Sequence, residues 1–156
     1  MTTAKVAIRV VGERHEKGQD HIVADCASLF SRVIRNLDFD DGGQAHHECG
    51  ACRFDGDSWD PGPSRRGDVA RALFYMDLRY DGSEGGTPDL ELVDRTTAIG
   101  ERHLGHLCQL VVWHGEDLVD DAERRRNDVI FAWQGNRNPF VDHPEWVRSI
   151  WGGACR

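Results

Sequence analysis

Gln134-Gly135-Asn136-Arg137-Asn138-Pro139-Phe140-Val141-Asp142-His143-Pro144-Glu145 is the stretch on which the fold of this chain turns. It carries no core periodicity. It is a polar, turn-forming run that closes a helix, and its Gln, Asn and Asp side chains offer donors and acceptors that tie loops together. Gly135 can take a left-handed cap, and Pro139 is expected to stop any further helix. Such a run is expected to lock a fold more than to touch a substrate. Just upstream, Arg124-Arg125-Arg126-Asn127-Asp128-Val129-Ile130 reads either as a phosphate-binding strip or as a solvated helix face.

Helical periodicity is clearest from about Arg66 to Tyr80. There Val69, Ala70, Leu73, Tyr75, Met76 and Leu78 make a broad apolar face, and Asp81-Gly82 ends it. Further helices are predicted from about Gly105 to His114, from about Val119 to Trp133, and from Pro144 through Trp151. Asp120 and Asp121 fall in the first turn of the second of these, where acidic groups suit the helix dipole. Residues 21–36 read as a helix, Ala4 to Val11 as a strand, and Leu90, Leu92 and Val93 as a short strand. Residues 37–63, acidic and carrying Pro61 and Pro63, read as a long loop of the kind that is usually functional or mobile. The expected fold class is α+β, mainly helical with few short strands, in one domain over residues 1–156.

A chain of 156 residues buries a real core without staples. Its 39% apolar and 29% charged residues are ordinary for a globular protein. No run approaches the ~18 apolar residues of a membrane span. The first residues show no charged segment followed by a long apolar one, so no signal peptide is visible. The net charge of −8 disfavours non-specific adhesion to polyanions. It does not exclude a nuclease, since a metal site needs carboxylates and a local basic strip can still hold a phosphate backbone. The odd number of cysteines, Cys26, Cys49, Cys52, Cys108 and Cys155, argues against a complete disulfide framework.

Several blocks follow one another in a set order and spacing: Gly67-Asp68-Val69-Ala70-Arg71-Ala72-Leu73-Phe74-Tyr75-Met76, then Trp113-His114, Asp117-Leu118-Val119-Asp120, Glu123, Arg126-Asn127 and the Gln134–Glu145 run. Together they resemble the bacterial endonuclease I family, metal-dependent nucleases of the ββα-metal (His-Me finger) type that are usually secreted or periplasmic. Leu118 stands where the family tends to have Pro. The likeness covers roughly residues 36–151, leaving 1–35 as a divergent or truncated segment. It implies hydrolysis of phosphodiester bonds in DNA, with RNA as a second substrate, with little sequence preference and by a monomer. It also implies a catalytic magnesium or calcium ion.

Chemistry of this type needs a His as general base, a divalent ion on side-chain oxygen, and an Arg on the phosphate. The resemblance implies that an Asn-x-Glu-His block supplies base and ligand from a β-hairpin, followed by an Asp-Leu-His block and a helix. No Asn-x-Glu-His is present. Glu13-Arg14-His15 is a weak echo, whereas Asp20-His21-Ile22 matches the start of the second block and Arg35-Asn36 the end of the helix motif. By this carry-over His21 is the base or metal-site candidate, Asn36 the contributor to the catalytic ion, and Arg35 a phosphate contact. Arg71 and Arg137 are further candidate nucleic-acid contacts.

His46-His47-Glu48-Cys49-Gly50-Ala51-Cys52 is a second constellation. A CxxC preceded by His offers zinc-type ligands close together, so His47, Cys49 and Cys52 with Cys26 could close a structural zinc site. A disulfide among Cys26, Cys49 and Cys52, or free thiols, fits the spacing as well. Asp38, Asp40, Asp41, Asp55, Asp57 and Asp60 lack a full calcium-loop pattern and read as a solvated acidic loop. Trp59, Trp113, Trp133, Trp146 and Trp151 read as packing residues, not stacking platforms. Two rivals to the nuclease reading stand beside it: a catalytically inactive remnant, favoured by the missing Asn-x-Glu-His, and a zinc-stabilised binding module.

Overall fold

The computed structural model describes residues 44–46, 49–54, 58–83, 88–97 and 101–155. The predicted strand at 4–11 and helix at 21–36 lie outside the described residues. What is described is α+β and mostly helical, as expected, with five helices and short strands.

Within the stretch read as a loop, three strands form an antiparallel sheet in the order β1 (Gln44–His46), β2 (Cys49–Phe54), β3 (Trp59–Asp60). Ala45 pairs with Arg53, and Phe54 with Trp59. The loop expectation therefore fails here. Acidic and glycine residues outweigh the short strand signal locally, but Cys52 and Trp59 are buried and anchor the sheet on the helical core. Asp60 is not solvated either. Its carboxylate accepts from Gly62 N at 2.8 Å and takes a two-pronged contact from Arg66, Nε at 3.1 Å and Nη2 at 2.7 Å. That partner raises the Arg66 pKa further above its ordinary value.

Helix α1 (Arg66–Arg79) follows, with Ala70, Leu73 and Phe74 on its inward face. Tyr80 N closes it on Met76 O, and Gly82 then takes φ 75° to reverse the chain. Leu78, read as part of the apolar face, points outward. Strand β4 (Glu91–Leu92) pairs in parallel with β5 (His103–Leu104). Leu92 N donates to the Asp77 carboxylate at 2.7 Å, which pins this small sheet to α1.

Helix α2 (Leu107–Glu116) buries Leu107, Leu110 and Trp113, three residues apart on one stripe, and packs chiefly against α1. Helix α3 (Asp121–Gln134) starts at Asp120, whose carboxylate caps Glu123 N at 2.7 Å, and ends at Gly135 in the left-handed conformation, φ 76°. Pro139 does not stop helix formation. It opens a short helix α4 (Pro139–Asp142), because Asn138 caps Phe140 N and proline's fixed φ and missing N–H suit a first helical position. Helix α5 (Glu145–Trp151) brings Trp151 onto Phe74, rings stacked at 4.6 Å, with Phe140 beside both. A disulfide between Cys108 and Cys155 fastens the start of α2 to the segment after α5.

Candidate functional site

The polar residues of the C-terminal third converge on one buried guanidinium. Arg71, in the middle of α1, has no exposed surface. Its Nε donates to Glu123 Oε1 at 2.8 Å, while Nη2 faces Glu123 Oε2 at 2.6 Å as a close charge contact. Nη1 donates to the Asp117 carbonyl at 2.8 Å, and Asp68 stands 3.5 Å from Nη2. Glu123 is buried as well, and burial pushes its carboxyl above the ordinary carboxylate range against the pull of Arg71. Arg71 as a nucleic-acid contact is thereby corrected. A phosphate cannot reach a side chain enclosed by α1, α2 and α3.

Around this pair most polar groups find partners, although the buried Asn136 Oδ1 accepts no hydrogen bond among the described residues. Asp117 also accepts from Gly67 N at 2.9 Å, and a Cβ on Gly67 would lie 1.9 Å from the Asp117 carbonyl oxygen. Glycine is thus required where α1 meets the turn after α2. His114 donates from Nε2 to Pro144 O at 2.9 Å and turns Nδ1 towards Arg71 Nη1 at 3.5 Å. Those two contacts define a neutral Nε2–H tautomer. Asn138 donates from Nδ2 to Arg71 O at 2.9 Å, and its N–H donates to Asn127 Oδ1 at 2.8 Å. The Asn127 amide nitrogen donates to Asn138 O and to Asp142. Asn136 donates to the Tyr75 hydroxyl.

Arg137, the second proposed nucleic-acid contact, spends its donors on two carboxylates. It holds Asp142 through Nε and Nη2 at 2.7 and 2.8 Å, and Asp128 through Nη1 at 2.7 Å. That pairing keeps Asp142 below the ordinary carboxylate range. Arg126 bridges to Asp68 at 2.9 Å, whereas Arg124 and Arg125 point to solvent. The Gln134–Glu145 run is therefore a lock, as its composition implied. The buried Arg71–Glu123 pair was not legible as such, since nothing local marks one arginine among many as internal.

The catalytic candidates His21, Arg35 and Asn36 lie outside the described residues, as do Cys26 and His47. Cys49 contributes only described backbone, in β2. Cys52 is disulfide-bonded. A sulfur in that form is not a thiolate ligand for zinc, so the disulfide alternative is the one this residue follows. Among the described residues no group of three or more His, Cys, Asp or Glu could hold a metal ion. The carboxylates near the core are taken up by arginines or by backbone N–H groups, as Asp77 is by Leu92 N and Asp117 by Gly67 N, so the described part does not supply the ligand set a catalytic ion needs. Among the described residues no helix is long and apolar enough to cross a membrane.

The family model for Endonuclease I matches residues 28–145. The chain belongs to the endonuclease I family. Two curated relatives, each named extracellular ribonuclease, come from Bacillus amyloliquefaciens and Bacillus subtilis (strain 168). Each is 49% identical over 117 residues, covering 74% of this chain and 40% of the relative. The chain thus spans about two fifths of the length of these relatives. No solved structure matches it. Within this endonuclease I chain, the match takes in both small sheets, α1 to α4 and the polar lock.

Proposed function

We propose that this chain is a nuclease that hydrolyses phosphodiester bonds of nucleic acid as a monomer, with a divalent magnesium or calcium ion. The observation that carries the reading is the 49% identity, over 117 residues, to two extracellular ribonucleases. The fold supports it, because the buried Arg71–Glu123 pair and the Asn127–Asn138 lock are complete. The ββα-metal element would fall on residues before Gln44, with His21 as base or metal-site residue, Asn36 towards the ion and Arg35 on the phosphate. RNA is the substrate favoured by the relatives' names, with DNA second, and the disulfides suit an oxidising, extracellular setting.

The test is cleavage of plasmid DNA and of structured RNA with magnesium, with calcium and with EDTA. Nicking or RNA loss that EDTA abolishes, and that His21→Ala and Asn36→Ala diminish, is the expected result. A second reading, an inactive remnant of the family, is favoured by the missing Asn-x-Glu-His block. A folded sample that cleaves neither polymer under any of these conditions would establish it.

A further inference from the structure

The small parallel sheet carries a second set of ionisable groups that the polar lock does not use. Leu92 is buried and Leu104 packs against the core, which leaves Glu91 and His103 on the outer face of the sheet as direct partners across the ladder. Arg95, after β4, and Glu101, before β5, complete the group. Glu101 Oε2 stands 2.7 Å from Arg95 Nη2 and 3.0 Å from His103 Nδ1, and Arg95 Nη2 lies 3.1 Å from Nδ1. In the protonated ring Nδ1 donates to Glu101, which leaves Nε2–H turned outward. There it faces Glu91 Oε2 at 3.4 Å, a charge contact and not a hydrogen bond. The Glu91 side chain is 68% exposed and has no other side-chain partner among the described residues.

His143 shows the plain surface case, a single carboxylate, Glu145, 3.4 Å from Nδ1. His103 differs from it in two ways. Its ring is oriented through Nδ1 by a carboxylate that an arginine holds in turn, and a second, mobile carboxylate stands at its other nitrogen. An oriented imidazole beside a carboxylate is the arrangement of a general acid with a general base. Arg95 adds a cation: Nη1 donates to Thr96 O at 3.1 Å, and Nε keeps a donor with no partner among the described residues.

We propose that Glu91 and His103 form a second nuclease site, which cleaves RNA through its own 2′-hydroxyl and draws on none of His21, Arg35 and Asn36. The choice of a nucleic acid rests on the nuclease reading, whereas the need for ribose comes from the pair itself. Glu91 takes the 2′-OH proton, and the 2′-oxygen forms a bond to the adjacent phosphorus. The P–O5′ bond breaks, and protonated His103 gives its Nε2 proton to the departing oxygen. The products are a 2′,3′-cyclic phosphate and a 5′-OH, and no further reactant is consumed. The proton on Glu91 then returns to Nε2, 3.4 Å away, which restores both groups. Arg95 Nε meets a phosphate oxygen and stabilises the charge that gathers there. DNA lacks the 2′-OH and is not a substrate of this site. The attack needs a linkage free to bring the 2′-oxygen in line with the 5′-oxygen, so an unpaired ribonucleotide is cut and structured RNA resists.

The test uses a fluorescein-labelled single-stranded DNA oligonucleotide with one internal ribonucleotide, incubated with the protein in EDTA. The expected result is a cut on the 3′ side of the ribonucleotide, a cyclic phosphate on that fragment by mass spectrometry, and no cut in an all-DNA control. His103→Ala and Glu91→Gln should each slow this cut roughly a hundredfold, within the usual range for loss of a general acid or base. Both should keep the wild-type denaturant midpoint, since neither side chain is buried. No cut by the folded wild type in EDTA overturns the proposal. So does a cut that both variants make at the wild-type rate, or one that leaves a 5′-phosphate, the product of attack by water. Failure of the metal-dependent reading shows separately, as an all-DNA control left intact with magnesium or calcium while the ribonucleotide is still cut in EDTA.

Discussion

Arg71 and Glu123 stand 52 residues apart in the chain and meet as a buried ion pair, Nε to Oε1 at 2.8 Å and Nη2 to Oε2 at 2.6 Å. Neither charge has water to fall back on. The pair, together with the Asp117 carbonyl on Nη1, fixes α1, the turn after α2 and α3 relative to one another. Removing one member strands the other in the core, which costs about 3–5 kcal/mol. Arg71→Met and Glu123→Leu should each lower the urea midpoint accordingly. The pair's role is scaffolding, so the folded fraction of Arg71→Met should bind oligonucleotide with wild-type affinity. A variant that stays as stable as wild type but loses nucleic acid would restore Arg71 as a substrate contact.

Asn138 uses both ends of its amide on different elements, capping Phe140 N and donating to Arg71 O. Asn138→Ala leaves both of those groups without their partner and should cost about 2–3 kcal/mol. Asn138→Asp keeps the cap acceptor but loses the donor and sets a carboxylate against the Arg71 carbonyl. Its loss should fall between wild type and Asn138→Ala, because a carboxylate serves well at a helix N-cap. Chemical denaturation of the three proteins side by side gives the order. Asn138→Asp falling below Asn138→Ala would mean that the Arg71 carbonyl contact outweighs the cap.

The four longest helices were legible because apolar spacing, acidic starts and Gly135 are local signals. Leu107, Leu110 and Trp113 announce their stripe, and Gly135 adopts the left-handed cap that its position suggested. The three-stranded sheet was not, since its strands span two to six residues and their burial depends on the distant helical core. Pro139 misled because proline terminates a helix from within but begins one at its first position. Trp133 and Trp146 are more exposed than their type suggests, at 56% and 45%, although Trp146 stacks on His143. For the candidate site, Arg137 and Arg71 show the limit of reading charges from a string. Arg71 meets a carboxylate 52 residues away, and Arg137 meets two that lie five and nine residues away on either side of the Gly135 turn.

His114 should impose a pH dependence on stability. Burial first, then the charge of Arg71, holds its imidazole below the ordinary value of 6.5, while its bond to Pro144 O pulls weakly the other way. The unfolded chain therefore binds the proton more readily than the folded one. Stability from neutral His114 is fully present above pH 6.5 and is lost as pH falls towards the depressed folded value. Asp120 and Asp142 are held below the carboxylate range, so their losses begin at lower pH. Denaturant midpoints between about pH 7 and 5 should decline for wild type. His114→Gln, which can still donate to Pro144 O, should flatten this decline. A decline of equal steepness in both proteins would place the responsible group elsewhere.

The Cys108–Cys155 disulfide closes a loop of 47 residues that contains α2 through α5. Closing a loop of that length removes chain entropy from the unfolded state, and the effect is typically about 2–4 kcal/mol. Cys108→Ser/Cys155→Ser should lower stability by that amount. The loss should concentrate at α5, where Trp151 stacks on Phe74 and lies tilted against Phe140 but most other residues face solvent. Amide exchange in the double variant should therefore quicken first across Glu145–Trp151, before the α1–α2 core. The Arg71–Glu123 and Asn127–Asn138 contacts lie on other elements and need no sulfur bridge, so slow exchange should persist in α1 and the buried side of α3. Uniform acceleration across all helices would instead make the disulfide a determinant of the whole fold.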